Sequence, residues 1–467
     1  MNAIPEYFRT LGATGMYCHP LGFGGYRVVE GNPEHEAALR LYLERGGNLI
    51  DTSANYGNGE SERLIGRVLS DFSRDEYLAI TKAGYIQGLN MEIARTRGFP
   101  EIVPYAEGIW HCIHPEYLQT QIEGSQKRLQ LEQLDVLLLH NPEYFLNHQA
   151  HLKELDASDY DEFYRRIREA FRFLEEKVQE GAIRFYGVSS NNFGLPAADP
   201  TMTSVSRCLA EAETVSSTHH FHIVQLPLNL VESGGALERN NEGNTVLGFC
   251  QQHGIGVLAN RPLNAFSKGK VIRLADFAKP GERPPGKREL QELLRPLREH
   301  EQLLGAELQA AALDGRSAGL AQMLEQLVSQ AKSLDQWNLM MNRYVVPPLK
   351  RWINESSNHQ SHPILWNSWL EKFLQLIQTT ADAAERFIQL QHQPQSDRIR
   401  SSLYEAGYPQ TSDSLSQMTL SILLNLEGLS SVLNGMRRPS YVADALGSQL
   451  SPRADSVAIL RDFKGFL

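Results

Sequence analysis

The chain has 467 residues, enough for one large domain or two of ordinary size, and at 42% apolar and 21% charged it has the composition of an ordinary globular protein. A formal net charge of -10 argues against nucleic acid or an anionic membrane surface as the main partner. Cys18, Cys112, Cys208 and Cys250 form no C-x-x-C pair, which points away from a zinc ribbon or a disulfide framework and toward a reducing, cytoplasmic compartment. The stretch MNAIPEYFRTLGATG lacks the basic and then apolar character of a signal peptide, and no apolar run approaches the length of a membrane span.

In chain order, short apolar runs fall at LGFGG (21–25), NLID (48–51), YLAITK (77–82), DVLLLH (135–140), RFYGVSS (184–190), HIVQLPL (222–228), GVLAN (256–260) and SSVLNG (430–435). Segments with apolar residues at helical spacing separate them, such as PEHEAALRLYLERGG, HPEYLQTQIEGSQKRLQ and FYRRIREAFRFLEEKVQEG, and glycine often closes these helices. Strand and helix alternating eight times predicts an α/β fold of the (β/α)8 TIM-barrel class; no G-x-G-x-x-G turn after the first strand supports a dinucleotide-binding open sheet.

From Lys279 to Thr411 the alternation stops, over a span far too long for a structureless connection. A KPGERPPG linker opens it. Leu290, Leu293, Leu294 and Leu297, then Leu320, Leu324, Leu327 and Ala331, then Trp366, Trp369, Leu370, Phe373 and Ile377 form helical stripes. The expected organisation is a barrel from 1–278 and 412–467, with an inserted all-α helical bundle, 279–411, between strand 7 and its following helix. SDSLSQMTLSILLNLEG is that helix, and it leads into strand 8.

Functional side chains of such a barrel gather where its strands end, at the C-terminal face. Asp51 closes NLID, Lys82 closes LAITK and His140 closes DVLLLH, on three neighbouring strands; Tyr56 follows in the glycine-bearing loop DTSANYGNGE. A carboxylate, an ammonium, a phenol and an imidazole at one mouth suit proton transfer to or from a hydroxyl or carbonyl oxygen. A free tyrosine titrates near pH ~10, and an adjacent lysine cation stabilises its phenolate and lowers that value. Asp51 would hold Lys82 charged, and His140 would orient the substrate oxygen. Each residue alone has an ordinary structural explanation; their joint placement on consecutive strand ends favours the catalytic one.

At this point the chain resembles the aldo-keto reductases. The resemblance runs through RTLGATGMYCHPLGFGGYRV, GGNLIDTSANYGNGESERLIGRVL, ITKAGY, LDVLLLHNPE, EGAIRFYGVSSNNF, VQLPLNLVE, GIGVLANRPL and LEGLSSVLNGMRRPSYVADAL, covering nearly all of the chain outside the insert. It implies a nicotinamide-dependent oxidoreductase whose catalytic tetrad falls on Asp51, Tyr56, Lys82 and His140, with Tyr56 as general acid or base. It further implies that Ser189, Asn191 and Gln225 lie near the nicotinamide carboxamide. Where relatives usually carry an aromatic residue after strand 7, this chain has Asn260 and Arg261, whose guanidinium can lie on a ring or pair with a phosphate. Gly435 and Tyr441 occupy places where many relatives have basic residues, but Arg437 and Arg438 stand nearby for the 2'-phosphate, so the expected cofactor is NADP, with NAD the alternative. The substrate implied is a small-molecule carbonyl or a sugar or alcohol, in either direction of reaction. The insert would cap the mouth or dock a protein partner. In the competing class, the barrel is a cofactor-binding sensor or auxiliary protein, and the insert is its interaction module.

Overall fold

In a computed structural model of the chain, which describes residues 5–283, 286–307, 319–331, 334–357 and 363–464, a strand falls on each of the eight apolar runs, within a residue or so of its predicted bounds. These are β1 (Leu21–Gly24), β2 (Leu49–Asp51), β3 (Leu78–Ala83), β4 (Leu134–His140), β5 (Ile183–Ser189), β6 (Phe221–Pro227), β7 (Gly256–Asn260) and β8 (Ser431–Asn434). They pair in parallel, each with its neighbour in sequence, and β8 returns to β1 with Val432 opposite Leu21, closing the ring. The fold is therefore a (β/α)8 barrel. Every residue of β2, β3 and β4 is buried, as expected of strands covered on both faces.

The helices start where their capping residues place them. In α1 (Pro33–Glu44) the Asn32 side chain accepts from the Glu34 and His35 amides and Pro33 opens the first turn. Helix α2 (Glu60–Leu69) follows the left-handed Gly59, and α3 (Pro115–Leu129) again begins on a proline. Asp156 with Asp159, and Ser414 with Gln417, form reciprocal caps for α4 (Ala157–Gln179) and α7 (Leu415–Leu424). Helices α5 (Val205–Val215) and α6 (Val246–Gln252) lie between these two in sequence, and α8 (Pro439–Gly447) follows β8.

A hairpin of Arg9–Thr10 and Tyr17–Cys18 closes the N-terminal end of the barrel. Its Leu11, Met16 and Cys18 pack into one apolar cluster with Leu49, Ile80, Leu138, Ile223 and Leu258. The closeness of this seal is visible at Gly12, where an added Cβ would lie 2.4 Å from the Gly256 amide nitrogen.

Two small sheets were not legible in the sequence. After β3 the chain folds into three short antiparallel strands, Tyr85–Ile86, Val103–Ala106 and Ile109–His111, and after β7 into the hairpin Asn264–Ser267 with Lys270–Arg273. Their alternation is too short to register against the longer runs around them.

Residue contacts divide the chain into two compact units, Met1–Ala275 with Ser402–Leu467, and Asp276–Ser401. The second unit is helical, with Lys287–Glu307, Leu320–Gln330, Leu334–Met340, Val346–Ser357 and most of Pro363–Glu405. Leu290, Leu294, Leu297, Leu324, Phe373 and Ile377 share its core, whereas Leu293 is 41% exposed: the first stripe is narrower than its leucine spacing predicts. Glu301 caps the second helix, accepting from the Leu320 amide at 2.9 Å. Pro284 and Pro285 of the predicted linker, and the first four residues of the N-terminal stretch, lie outside the described residues. Among the described residues no helix is long and apolar enough to cross a membrane.

Candidate active site

The interior of the barrel changes character within one strand period. Leu49, Ile80, Leu138, Ile223 and Leu258 belong to the apolar cluster, and two residues further along the same strands come Asp51, Lys82, His140, Gln225 and Asn260. Because side chains alternate along a strand, i and i+2 point the same way, so the polar layer sits directly above the apolar one at the C-terminal mouth. The eight-strand ring does the convergence that no local sequence feature requires.

Lys82 is the hub of this layer. Its Nζ donates to Asp51 Oδ2 at 2.7 Å, to the Thr52 carbonyl at 2.8 Å and to Tyr56 Oη at 3.4 Å, and the side chain is fully buried. Asp51 is held from the other side by Gln225, whose Nε2 donates to Oδ1 at 2.8 Å. Burial pushes the Asp51 carboxyl up and the Lys82 ammonium down, and their mutual attraction opposes both shifts. Gln225 Oε1 in turn accepts from Ser189 Oγ at 3.2 Å and Asn260 Nδ2 at 3.1 Å. A continuous polar chain thus runs from Ser189 and Asn260 through Gln225, Asp51 and Lys82 to Tyr56.

Tyr56 reaches the mouth from a one-turn segment, Tyr56–Gly59, in which Gly57, Asn58 and Gly59 all take positive φ. Its ring meets Tyr26 edge-on at 5.2 Å and His140 at 6.1 Å. The sequence expectation that a neighbouring lysine lowers the Tyr56 pKa is not met: burial, then the negative charge of Asp51, hold the phenol well above its ordinary value, with Arg261 opposing. His140 is held well below the ordinary imidazole range, first by burial and then by Lys82, so its ring is neutral. Its Nδ1 lies 3.0 Å from Ser53 Oγ and its carbonyl accepts from His111 Nε2 at 2.8 Å.

The remaining predicted residues divide into two groups. Asn191 sits beside the mouth, its amide donating to Glu143 Oε1 at 2.9 Å. Arg261, with φ of 53°, pairs with Glu232 at 2.7 Å and lies over the Phe266 ring at 4.6 Å, so its guanidinium is anchored at the rim. Arg437 and Arg438 are not brought to the tetrad: Arg438 is the N-cap residue of α8 and lies 3.4 Å from Glu34.

Sequence reasoning missed four contributors. Ser53 lies inside the same DTSANYGNGE loop as Tyr56 and signals itself only as a buried hydroxyl. Tyr85 and His111 come from the small sheet after β3; Tyr85 meets His140 edge-on at 4.6 Å and donates to Tyr144 Oη at 2.8 Å. Glu143 is fully buried, and burial pushes its carboxyl up to about 7.

The donor set suits a nicotinamide cofactor. Asn260 Oδ1 is buried without a hydrogen-bond partner, an acceptor free for a carboxamide, beside the hydroxyl of Ser189 and the amide of Gln225. The N-terminus of α8, flanked by Arg437 and Arg438, suits a phosphate.

Comparison with known proteins agrees with this architecture. The model of the Aldo/keto reductase family matches residues 20–314. The chain belongs to the aldo/keto reductase family. It is 24% identical over 269 residues to "Probable aldo-keto reductase 1" of Glycine max, covering 56% of this chain and 61% of that protein. To a D-threo-aldose 1-dehydrogenase of a Pseudomonas species it is 26% identical over 263 residues, covering 54% and 68%. Across these and three further curated relatives, the matched part spans 48% to 68% of the relative's length. Among solved structures, the holo form of an aldo-keto reductase from Bacillus halodurans is 16% identical with a TM-score of 0.49, covering 98% of this chain and 97% of that one.

Proposed function

We propose that the protein is an NAD(P)H-dependent aldo-keto reductase, with NADP as the expected cofactor and NAD the alternative, acting on a small carbonyl or its sugar or alcohol counterpart. One observation carries this reading: a single buried ammonium, Lys82 Nζ, touches both the Asp51 carboxylate at 2.7 Å and the Tyr56 hydroxyl at 3.4 Å. An oxygen that must gain or lose a proton as its carbon gains or loses hydride finds at this mouth a phenol and a cation beside it.

When bound, the cofactor supplies or accepts the hydride. The residues that would hold it are Ser189, Asn191, Gln225 and Asn260 at the carboxamide, Arg261 at the rim, and Arg437 with Arg438 at the phosphate. The chain's own part is the proton. Tyr56 Oη donates to a carbonyl oxygen during reduction, or accepts from a hydroxyl during oxidation. A phenol held far above neutrality is a weak acid, but the developing phenolate would lie against Lys82, whose charge Asp51 secures; stabilisation is concentrated where charge appears. Neutral His140 orients the substrate oxygen. The rings of Tyr26 and Tyr85 meet those of Tyr56 and His140 edge-on.

The segment 279–411 is proposed as a helical module added to this barrel, and the four buried, unpaired cysteines support a cytoplasmic location. Replacing 279–411 with a short linker and measuring affinity for cofactor tests whether the module acts on the mouth; unchanged affinity for cofactor and substrate would rule out a capping role.

The function itself is tested by titrating the protein with NADPH and NADH and screening carbonyls and alcohols for turnover, with Tyr56→Phe as control. Turnover should fall by roughly 10²–10⁴ in the variant while cofactor affinity holds within about twofold. Tight cofactor binding with no turnover on any substrate, and no effect of Tyr56→Phe, would replace the enzyme by a cofactor-binding sensor.

A further inference from the structure

The segment that leads into β6 carries three imidazoles within four residues, His219, His220 and His222, at the end of the barrel opposite the mouth. Ile223, the next residue, belongs to the apolar cluster that holds Leu11 and Met16 of the N-terminal hairpin. The backbone here is fixed from both sides. The His220 amide donates to Glu175 Oε1 at 2.6 Å, and its carbonyl accepts from the Tyr186 amide at 3.1 Å. The His220 ring is engaged as well, with Nδ1 2.9 Å from Glu175 Oε2.

His219 and His222 flank that anchor and lack such partners. Their ring centres lie 5.6 Å apart, and the Nδ1 of each is buried without a hydrogen-bond partner among the described residues. Buried ring nitrogens are ordinarily paired, so two such atoms on neighbouring rings ask for a shared partner. Phe185 stands against His222 at 5.7 Å and Phe221 against His219 at 6.5 Å, which limits how either ring can turn. Burial first, and then the neighbouring imidazoles, push His222 down to about 4; burial likewise lowers His219, against the pull of Glu175 and Glu213. Both rings are therefore neutral at pH 7, and a neutral imidazole binds a metal ion without first losing a proton.

We infer that His219 and His222 form a two-imidazole site for a divalent transition metal that prefers nitrogen, such as Cu²⁺, Ni²⁺ or Zn²⁺, on the floor of the barrel. Two imidazoles on one ion, each bound at about 2.0–2.1 Å, carry their ring centres roughly 5–5.5 Å apart, close to the separation seen. Imidazole suits these ions, whereas Mg²⁺ and Ca²⁺ seek oxygen. Among the described residues no group of three or more His, Cys, Asp or Glu is arranged to hold a metal, so the ion would keep water on its remaining positions. Gln225 follows three residues later on β6, roughly 10 Å away at ~3.3 Å per residue, which separates this site from the mouth. An ion held by a pairing that only the folded chain provides stabilises that fold.

Electron paramagnetic resonance of the unaltered full chain with one equivalent of Cu²⁺ counts the bound nitrogens directly. The expected spectrum shows splitting from two equatorial imidazole nitrogens; one nitrogen or none overturns the inference. Calorimetric titration with Zn²⁺ alone at pH 7.5 then assigns them. Binding should weaken by about tenfold or more in His219→Gln and in His222→Gln, and stay within about threefold in His220→Gln, where glutamine keeps a donor toward Glu175. Unchanged affinity in the first two variants overturns the assignment, as does an equal loss in His220→Gln or a lack of Zn²⁺ binding by the unaltered protein.

Discussion

Gln225 donates to the same carboxylate that Lys82 neutralises: its Nε2 lies 2.8 Å from Asp51 Oδ1, while Lys82 Nζ lies 2.7 Å from Oδ2. Asp51 is therefore the joint between the residues proposed to hold the cofactor amide and Tyr56, proposed to transfer the proton. A carboxylate with both oxygens engaged has one orientation, and through it Lys82 has one too.

Removing the cation from this joint should be costly. Lys82→Met leaves Asp51 buried without its counter-ion, and a loss on the order of 3–5 kcal/mol in unfolding free energy is expected by denaturant titration. Adding Asp51→Leu in the same chain should recover part of that loss, because the second change removes the stranded charge. A double variant no more stable than Lys82→Met would mean that packing, not charge, sets the cost.

Gly84 is expected to be irreplaceable by alanine. An added Cβ would stand 2.5 Å from the His140 carbonyl oxygen and 2.8 Å from His111 Nε2. Backbone must shift to admit it, so Gly84→Ala should lose roughly 1–3 kcal/mol and displace His140, lowering turnover more than cofactor affinity. Gly435→Ala is the control: nothing lies within 4 Å of a Cβ there, and stability should move by no more than about 0.5 kcal/mol.

The buried carboxyl of Glu143 predicts a dependence on pH. Burial raises it from 4.5 to about 7, so between those values the folded chain binds more protons than the unfolded one. Stability contributed by this group is then fully present below about pH 4.5 and declines as pH rises to about 7, by roughly 3 kcal/mol at ~1.4 kcal/mol per unit. Glu143→Gln, neutral throughout, should gain on the unaltered protein as pH is raised from 5 to 8 in parallel thermal melts. A constant difference across that range would place the carboxyl's pKa near its ordinary value.

All four cysteines are buried, and burial pushes the thiols of Cys18 and Cys112 up to about 12 and raises those of Cys208 and Cys250 as well. A thiol reagent at pH 8 should therefore label none of them in the folded protein and all four after denaturation. Rapid labelling of one cysteine in the native state would reveal a local opening around it.

Much of this was legible because one physical regularity repeats. Buried parallel strands read as apolar runs, and a polar residue two positions beyond an inward-facing leucine or isoleucine must emerge at the mouth; Asp51, Lys82, His140 and Gln225 all follow that rule. Where placement depends on partners distant in sequence, the signal fails. His111 arrives on a strand of three residues paired with Tyr85, and nothing in IWH marks it as such. Glu143 stands in plain view after His140, but its burial follows from the Asn191 amide that closes over it. Leu293 shows the reverse error: spacing alone widened a stripe that the helix itself leaves exposed.

The joining of β8 to β1 carries a consequence for how the chain is made. Val432 pairs with Leu21 only after the whole Asp276–Ser401 unit has been synthesised, so during translation β1 and β7 are both unpaired sheet edges. One contact of the floor hairpin comes earlier: Ala13 donates to the Gly254 carbonyl at 2.7 Å, a contact available as soon as β7 emerges. The rest of the floor is completed late, since Arg9 donates to the Leu429 carbonyl at 2.9 Å and Leu433 belongs to the hairpin's apolar cluster; any factor that lengthens the interval before β8 emerges leaves two adhesive borders open to neighbouring chains.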